Sequence, residues 1–391
     1  MVMIEFDSLE LARESNAKIK VVGVGGAGCN TVNCIIANES EYRGIEYIVV
    51  NTDAQALENS KAPIKIRLGA RCTKGLGAGA NPEAGKKAAE ETINEIMEYL
   101  EDADIVFLTG GMGGGTGSGA MPVIAQALKE RSILSIAIVT KPFNFEGKKR
   151  ATIAQEAIAQ LKKSVDTLII MPNQNLLNVV DANTSMIDAF NIINGVLGQS
   201  VKSISDIITK PGHINVDFAD VRTIMKDRGM AIMGTARASG PDRALEATMN
   251  AISSPLFENM NMKGSQSVLL NITGSSNLSL HEISQAASII YEQADTNAQI
   301  ILGSVIEESL GDSVQVTIIA TGFEQSQEQE FKIQATVLAV EQPIIEKQPQ
   351  PQAITPIKKQ SDILPAQECL TVDDALDVPS FMRKDMANPE L

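Results

Sequence analysis

Residues 110–119 read GGMGGGTGSG, seven glycines in ten positions. Each glycine in a regular element costs about 0.5–1 kcal/mol relative to alanine, so a run this dense needs a reason. The usual reason is close approach of backbone to phosphate. N–H groups of a tight loop at a helix N-terminus cradle an anion, and a Cβ would block it. A second loop, GVGGAG at 23–28, satisfies G-x-G-x-x-G. By itself that pattern is equally a tight strand-to-helix turn. A dinucleotide fingerprint needs one glycine loop, however, and does not explain a second one carrying Thr116 and Ser118. Two cradles suggest a triphosphate held from two sides. The sequence contains no G-x-x-x-x-G-K-[ST]; the nearest stretch, GANPEAGKK at 79–87, has one residue too many and Lys87 in place of a hydroxyl. The phosphates would be held mainly by backbone N–H groups. Finally, NVDFAD at 215–220 sets Asp217 and Asp220 three residues apart. The plain reading of that pair is a helix cap and a solvated face.

These loops need a frame. Apolar runs at 19–25, 46–53, 104–110, 134–140 and 167–173 read as buried strands, and 81–100 and 152–165 read as helices between them. Doubly apolar strands alternating with helices imply a parallel sheet covered on both faces. Ligands bind such sheets at loops leaving the carboxyl ends of strands, which is where 110–119 falls. Residues 184–209 form one long helical pattern with a capping box from Ser185 to Asp188, and KPG at 210–212 ends it. Apolar on more than one face, it reads as a buried strut. Beyond it, strands at 267–274, 298–308 and 313–323 and a helix at 279–294 make a second mixed region.

The bulk numbers exclude several classes. A net charge of −15 argues against a nonspecific nucleic-acid binder. Four cysteines without a CxxC pair and two histidines argue against a zinc site, and suggest buried thiols in a reducing cytosol. No apolar stretch approaches the roughly 20 residues of a membrane helix, so neither membrane insertion nor a signal peptide is expected. No glycine follows Gly322, and seven of the fifteen prolines fall in the last 69 residues. This reads as a disordered linker, 325–370. In DDALDVPSFMRK at 373–384, Leu376, Val378, Phe381 and Met382 sit among charges, as in segments that fold onto a partner groove.

GGMGGGTGSG is similar to the tubulin-type nucleotide signature. With NTDAQAL (51–57), GLGAGANPE (75–83), PFNFEGKKR (142–150) and NVDFADV (215–221), the chain resembles the FtsZ family, the bacterial tubulin-like GTPases of cell division. The resemblance covers about residues 17–323 and the 371–384 peptide. It implies a tubulin/FtsZ-like α/β fold: an N-terminal extension 1–16, a parallel Rossmann-like GTP-binding domain 17–183 and a central helix 184–210. A second mixed α/β, GTPase-activating domain at 211–324, the linker and a peptide at 371–391 follow. By the same resemblance Gly26, Ala27, Gly28, Cys29 and Asn30 form the first phosphate loop. Gly113, Gly114, Gly115, Thr116 and Gly117 form the second, and Gly79 and Ala80 sense the γ-phosphate. Glu146 and Arg150 contact the ribose; read alone they are an i,i+4 ion pair worth about 0.2–0.5 kcal/mol. Asn173, Phe190 and Asn194 contact guanine, and Gly195 stands where many relatives carry an acid. GTP is the implied substrate, with Mg²⁺ bound through its phosphates.

The resemblance also gives Asp217 and Asp220 a task. The helix before them spans roughly 39 Å at 1.5 Å per residue, which separates them from the glycine loops within one chain. In tubulin-like filaments this loop enters the neighbour's nucleotide site, where Asp217, Asp220 and Asn215 would orient the attacking water. Head-to-tail protofilaments, a cytoplasmic mid-cell location, and membrane-tethering and regulatory partners at 371–384 are implied with it. The alternative is a Rossmann-type NAD-dependent oxidoreductase, resting on Gly23, Gly25, Gly28 and Asp53. A thiol in the phosphate loop, Cys29, suggests that thiol reagents interfere with binding.

Overall fold

The computed structural model describes residues 17–38, 44–177, 180–181, 183–210, 214, 216–254, 262 and 264–323. The 1–16 extension, Asn215, the linker and the 371–391 peptide lie outside the described residues.

The apolar runs become β1 (Ile19–Val24), β2 (Ile45–Asn51), β4 (Ile105–Gly111), β5 (Leu134–Lys141) and β6 (Thr167–Pro172), with a short β3 (Ile64–Arg67) at the edge. All six are parallel. They are interleaved with α1 (Gly25–Asn38), α2 (Ala54–Glu58), α3 (Pro82–Glu98), α4 (Thr116–Glu130) and α5 (Lys148–Ser164). Because successive side chains point to opposite faces, each strand feeds two cores. Val21, Val49, Phe107 and Ile136 meet the face that carries α1, and Val22, Val50, Val106 and Ala137 meet that of α3, α4 and α5.

After β6 come α6 (Asn173–Leu176), α7 (Met186–Thr209) and α8 (Phe218–Met225). Ser185 caps α7, its Oγ accepting from the Asp188 N–H at 3.1 Å. The strut expectation holds for half of α7. Leu197, Val201, Ile204 and Ile207 are buried, but Met186 and Ile187 at its start are exposed.

β7 (Gly229–Ser239), α9 (Arg243–Ile252), β8 (Ser267–Gly274), α10 (Leu280–Gln293), β9 (Gln299–Ile306) and β10 (Ser313–Thr321) complete the described chain. The second mixed region is not a separate sheet. β7 pairs in parallel with β6 through Thr167↔Gly229, Leu168↔Met230 and Ile169↔Ala231. One ten-stranded sheet results, in the order β3-β2-β1-β4-β5-β6-β7-β10-β8-β9. β10 runs antiparallel to both neighbours. A third core, with Leu270, Ile272, Ile290, Val316 and Ile318, lies under α9 and α10.

The direction of the parallel strands fixes where everything else sits. α1 and α4 leave the carboxyl ends of β1 and β4. α8 lies at the opposite end. Arg222 Nη2 donates to the Ser132 carbonyl, just before β5, at 3.4 Å. The Thr167 hydroxyl, at the start of β6, donates to the Met225 carbonyl. Just beyond α8, the Asp227 N–H donates to Asp166 Oδ1 at 3.4 Å. Strands of about seven residues at roughly 3.3 Å per residue separate the two ends by over 20 Å.

Candidate nucleotide site

The first glycine loop is shaped by close packing on one side and open space on the other. A Cβ on Gly28 would lie 2.5 Å from the Thr109 carbonyl oxygen, and one on Gly23 would lie 2.5 Å from that of Gly28. Neither position tolerates a side chain, so the start of α1 is drawn tightly onto β1 and β4. Gly26 has nothing within 4 Å of its Cβ direction, and Gly26, Ala27 and Asn30 are exposed.

The second loop packs against the first. A Cβ on Gly117 would lie 2.5 Å from the Gly111 carbonyl oxygen, one on Gly115 2.8 Å from Asn81 N, and one on Gly113 2.9 Å from the Arg150 carbonyl oxygen. Gly114, like Gly26, faces open space. Gly113 N–H donates to Ser118 Oγ at 2.9 Å, and the hydroxyls of Thr116 and Thr52 are 2.7 Å apart. α3 and α4 cross through their own glycines: a Cβ on Gly119 would meet the Pro82 carbonyl at 2.0 Å. This close crossing carries the loop at 77–80, with Gly79 at φ +58° and Ala80 at φ +57°, to the same place. The left-handed conformation of Ala80 carries a steric cost that glycine avoids.

Two helix N-termini therefore converge on one hollow. Neither α1 nor α4 carries an acidic residue in its first turn, an absence shared with α2, α5 and α6, so nothing there opposes an anion. The leading N–H groups of a helix have no intrahelical partner, and its dipole favours an anion there. The arrangement suits phosphate oxygens.

Beside the hollow lies a flatter, more apolar patch. Phe143 packs edge-on to Phe190, with centroids 5.7 Å apart, and stacks on Phe145 at 4.8 Å. Thr31 Oγ1 donates to Asn194 Oδ1 at 3.3 Å, tying α1 to α7. Asn173 is buried, yet its Oδ1 has no hydrogen-bond partner. A buried polar atom left so costs about 1–3 kcal/mol, and this one is among six such side-chain atoms in the described residues, set apart by its place beside the ring patch. Glu146 and Arg150 form the plain i,i+4 pair at 2.5 Å, and Glu146 Oε1 also accepts the Phe143 N–H at 2.9 Å. Gly198 is required by packing, since its Cβ would meet Ile35 at 2.9 Å; Gly195 faces open space, and nothing in the structure explains it.

The positions named from the sequence thus gather at one end of the sheet, except the acids. Asp217 and Asp220 are exposed at the start of α8, at the other end, and Asn215 lies outside the described residues. Two cysteine expectations are corrected. Cys29 turns away from the hollow into the core, where burial pushes its thiol up to about 11, so it is not a reactive loop thiol. Cys72 is exposed rather than buried. Sequence reasoning missed Thr31 and Thr52 as supports of the loops, and noted Ser118 only as part of the glycine run. Only the Thr and Ser of the glycine run signalled such a role.

Comparison with known proteins agrees with this geometry. The Tubulin/FtsZ family, GTPase domain, matches residues 18–181, and the FtsZ family, C-terminal domain, matches 229–324. The chain is 49% identical over 317 residues to the cell division protein FtsZ of Buchnera aphidicola subsp. Baizongia pistaciae (strain Bp), covering 81% of each. It is similar to a solved FtsZ dimer from M. jannaschii, with a TM-score of 0.76 and 40% identity over 81% of this chain and 91% of that one. GDP-bound CetZ1 from Haloferax volcanii shares the fold, with a TM-score of 0.70 and 23% identity over 82% of this chain and 99% of that one. The oxidoreductase alternative gains no support from these matches. The chain belongs to the FtsZ family of tubulin-like GTPases, which act in cell division.

Proposed function

We propose that this chain hydrolyses GTP at a site completed by a second copy of itself. The observation that carries the reading is the polarity of the sheet. The glycine loops sit at the carboxyl ends of the parallel strands, and Asp217 and Asp220 sit with α8 at their amino ends. One chain cannot bring the two together; stacking chains head to tail does. Such a heterologous contact does not close and gives filaments.

In this reading, backbone N–H groups at Gly26–Asn30 and Gly113–Gly117 hold the phosphates, with Gly79 and Ala80 at the γ-phosphate. Asn173, Phe190 and Asn194 hold guanine, supported by the unpartnered Asn173 Oδ1. Arg150 and Glu146 flank the ribose. The Mg²⁺ would be carried by phosphate oxygens and water, supplying charge neutralisation. Asp217, Asp220 and Asn215 of the next chain orient the attacking water. Phosphoryl transfer asks for positioning and charge stabilisation above all. Loss of the γ-phosphate removes a group bridging the two chains, so turnover weakens the contact that created the site.

The two family matches, 18–181 and 229–324, support the division into a GTP-binding domain 17–183, a central helix and an activating domain 211–324. Residues 371–384 are the docking peptide for membrane-tethering and regulatory division proteins at mid-cell. No helix among the described residues is long and apolar enough to cross a membrane.

The test is turnover per chain against protein concentration. We expect a steep rise once chains associate and a near-zero rate when dilute. Equal rates per chain in monomeric and assembled protein would overturn the reading.

A further inference from the structure

Three described residues between the body of α7 and α8, Lys210, Ile214 and Val216, are each fastened, and β9 with its trailing residue supplies all three contacts. Lys210, the C-cap of α7, gives its Nζ to Glu307 Oε2 at 2.9 Å, just past the end of β9. The same ammonium lies 3.3 Å from Asp206 Oδ2, which also accepts from Lys202 Nζ at 2.9 Å. Four residues on, Ile214 is clasped by Ser304. The Ser304 N–H donates to the Ile214 carbonyl at 3.0 Å, and the Ile214 N–H donates to Ser304 Oγ at 2.9 Å. A side-chain hydroxyl thus does what a carbonyl does in an ordinary ladder. The third point is Val216, which is buried over Gly303; a Cβ on Gly303 would come within 3.1 Å of Val216 Cγ2.

Asp217 is the next residue. It occupies the N-cap position of α8, yet its side chain makes no capping bond to that helix. Its exposed carboxylate is therefore aimed by the backbone on either side: α8 after it and the β9 mount before it.

We propose that Ser304 and Glu307 are positioning residues for hydrolysis, holding the loop so that Asp217 meets the neighbouring chain's nucleotide at working distance. The inference rests on the reading of Asp217 as the hydrolytic acid. A misplacement of about 1 Å can cost about 100-fold in rate, and one hydrogen bond in three fastenings costs a fraction of that.

The experiment uses the full chain and four variants: Ser304→Ala, Glu307→Gln, Asp217→Ala and the Ser304→Ala/Asp217→Ala double. Three quantities are read: GTP affinity of dilute protein, polymer pelleted with a slowly hydrolysed GTP analogue, and kcat with KM. Ser304→Ala and Glu307→Gln should each lower kcat about 3- to 10-fold, with KM, affinity and pelleted polymer within about twofold. The double variant should turn over no more slowly than Asp217→Ala alone. Wild-type kcat in both single mount variants, or a further loss in the double, overturns this inference while leaving Asp217 in place. Full turnover by Asp217→Ala overturns the reading beneath it as well. Glu307 is partly exposed, so its variant stays informative should Ser304→Ala fold poorly.

Discussion

At the carboxyl ends of β1 and β4 the decisive residues have no side chains; at the far side of the sheet the loops are held by charged ones. Gly23, Gly28, Gly115 and Gly117 sit where a Cβ would come within 3 Å of backbone. Contrast Arg243 on α9, which is buried. Its guanidinium donates to Glu282 Oε1 at 2.6 Å, to the Asp312 carbonyl at 3.0 Å and to Asn277 Oδ1 at 3.0 Å. One side chain ties two loops and two helices. A phosphate cradle is built by taking atoms away, whereas a loop far from any ligand is positioned by adding them. The first construction fails when anything is inserted; the second fails when a partner is removed or discharged.

The largest effects should come from breaking the first construction. Gly117→Ala would drive its methyl against the Gly111 carbonyl, and we expect a loss of about 3 kcal/mol in stability with loss of GTP binding. Gly114→Ala sharpens the contrast, because its Cβ meets no protein atom. Its thermal stability should stay within about 0.5 kcal/mol of the parent while GTP affinity falls at least about tenfold. Isothermal titration decides, and undiminished affinity in Gly114→Ala would mean that the ligand lies elsewhere.

The second construction is tested by discharging it. The Arg243 guanidinium holds the Glu282 carboxyl down to about 2, below its ordinary 4.5. A carboxyl depressed by folding stabilises the native state above its unfolded pKa and loses that contribution as pH falls through the folded value. The parent should therefore lose on the order of 2 kcal/mol between about pH 4.5 and pH 2 from this group. Glu282→Gln should lack that component and be less stable at pH 7. Parallel pH profiles of denaturant midpoints for the two proteins would count against the Arg243 hub.

The smallest effect concerns the thiols. Native protein treated with a thiol reagent should be modified at exposed Cys72, and GTP binding should survive. Cys29, buried and held protonated, should react only on unfolding. Mass mapping of the labelled peptides checks this, and rapid native labelling of Cys29 would show that the loop opens.

The same contrast explains what could be read from the chain alone. Glycine loops and doubly apolar strands announce themselves, because each is a local composition that few other structures need. β1, β2, β4, β5 and β6 were legible on that ground. β3 has only four residues with alternating charge, and β7, GMAIMGTARAS, is diluted by glycine, alanine and an arginine. Neither carries a β-branched run, so neither stood out. The fusion of the two halves through β6 and β7 rests on three pairings among unremarkable residues. The Arg243 hub and the Ser304 clasp join positions far apart in sequence, and the unpartnered Asn173 oxygen is defined by the packing around it; no spacing rule finds any of the three. Asp217 and Asp220 were visible as a pair; their place at the other end of the sheet follows from the direction of the strands.

That direction has a last consequence. A brick with a nucleotide hollow on one end and carboxylates on the other makes any row of such bricks an arrow. In the head-to-tail stacking proposed above, every interior hollow would be roofed by a neighbour, while at one tip of the row a hollow would face water and at the other tip only carboxylates would. On the proposed stacking, exchange of spent for fresh nucleotide would be confined to a single tip, and the two tips would grow and shrink by different rules although every chain is the same.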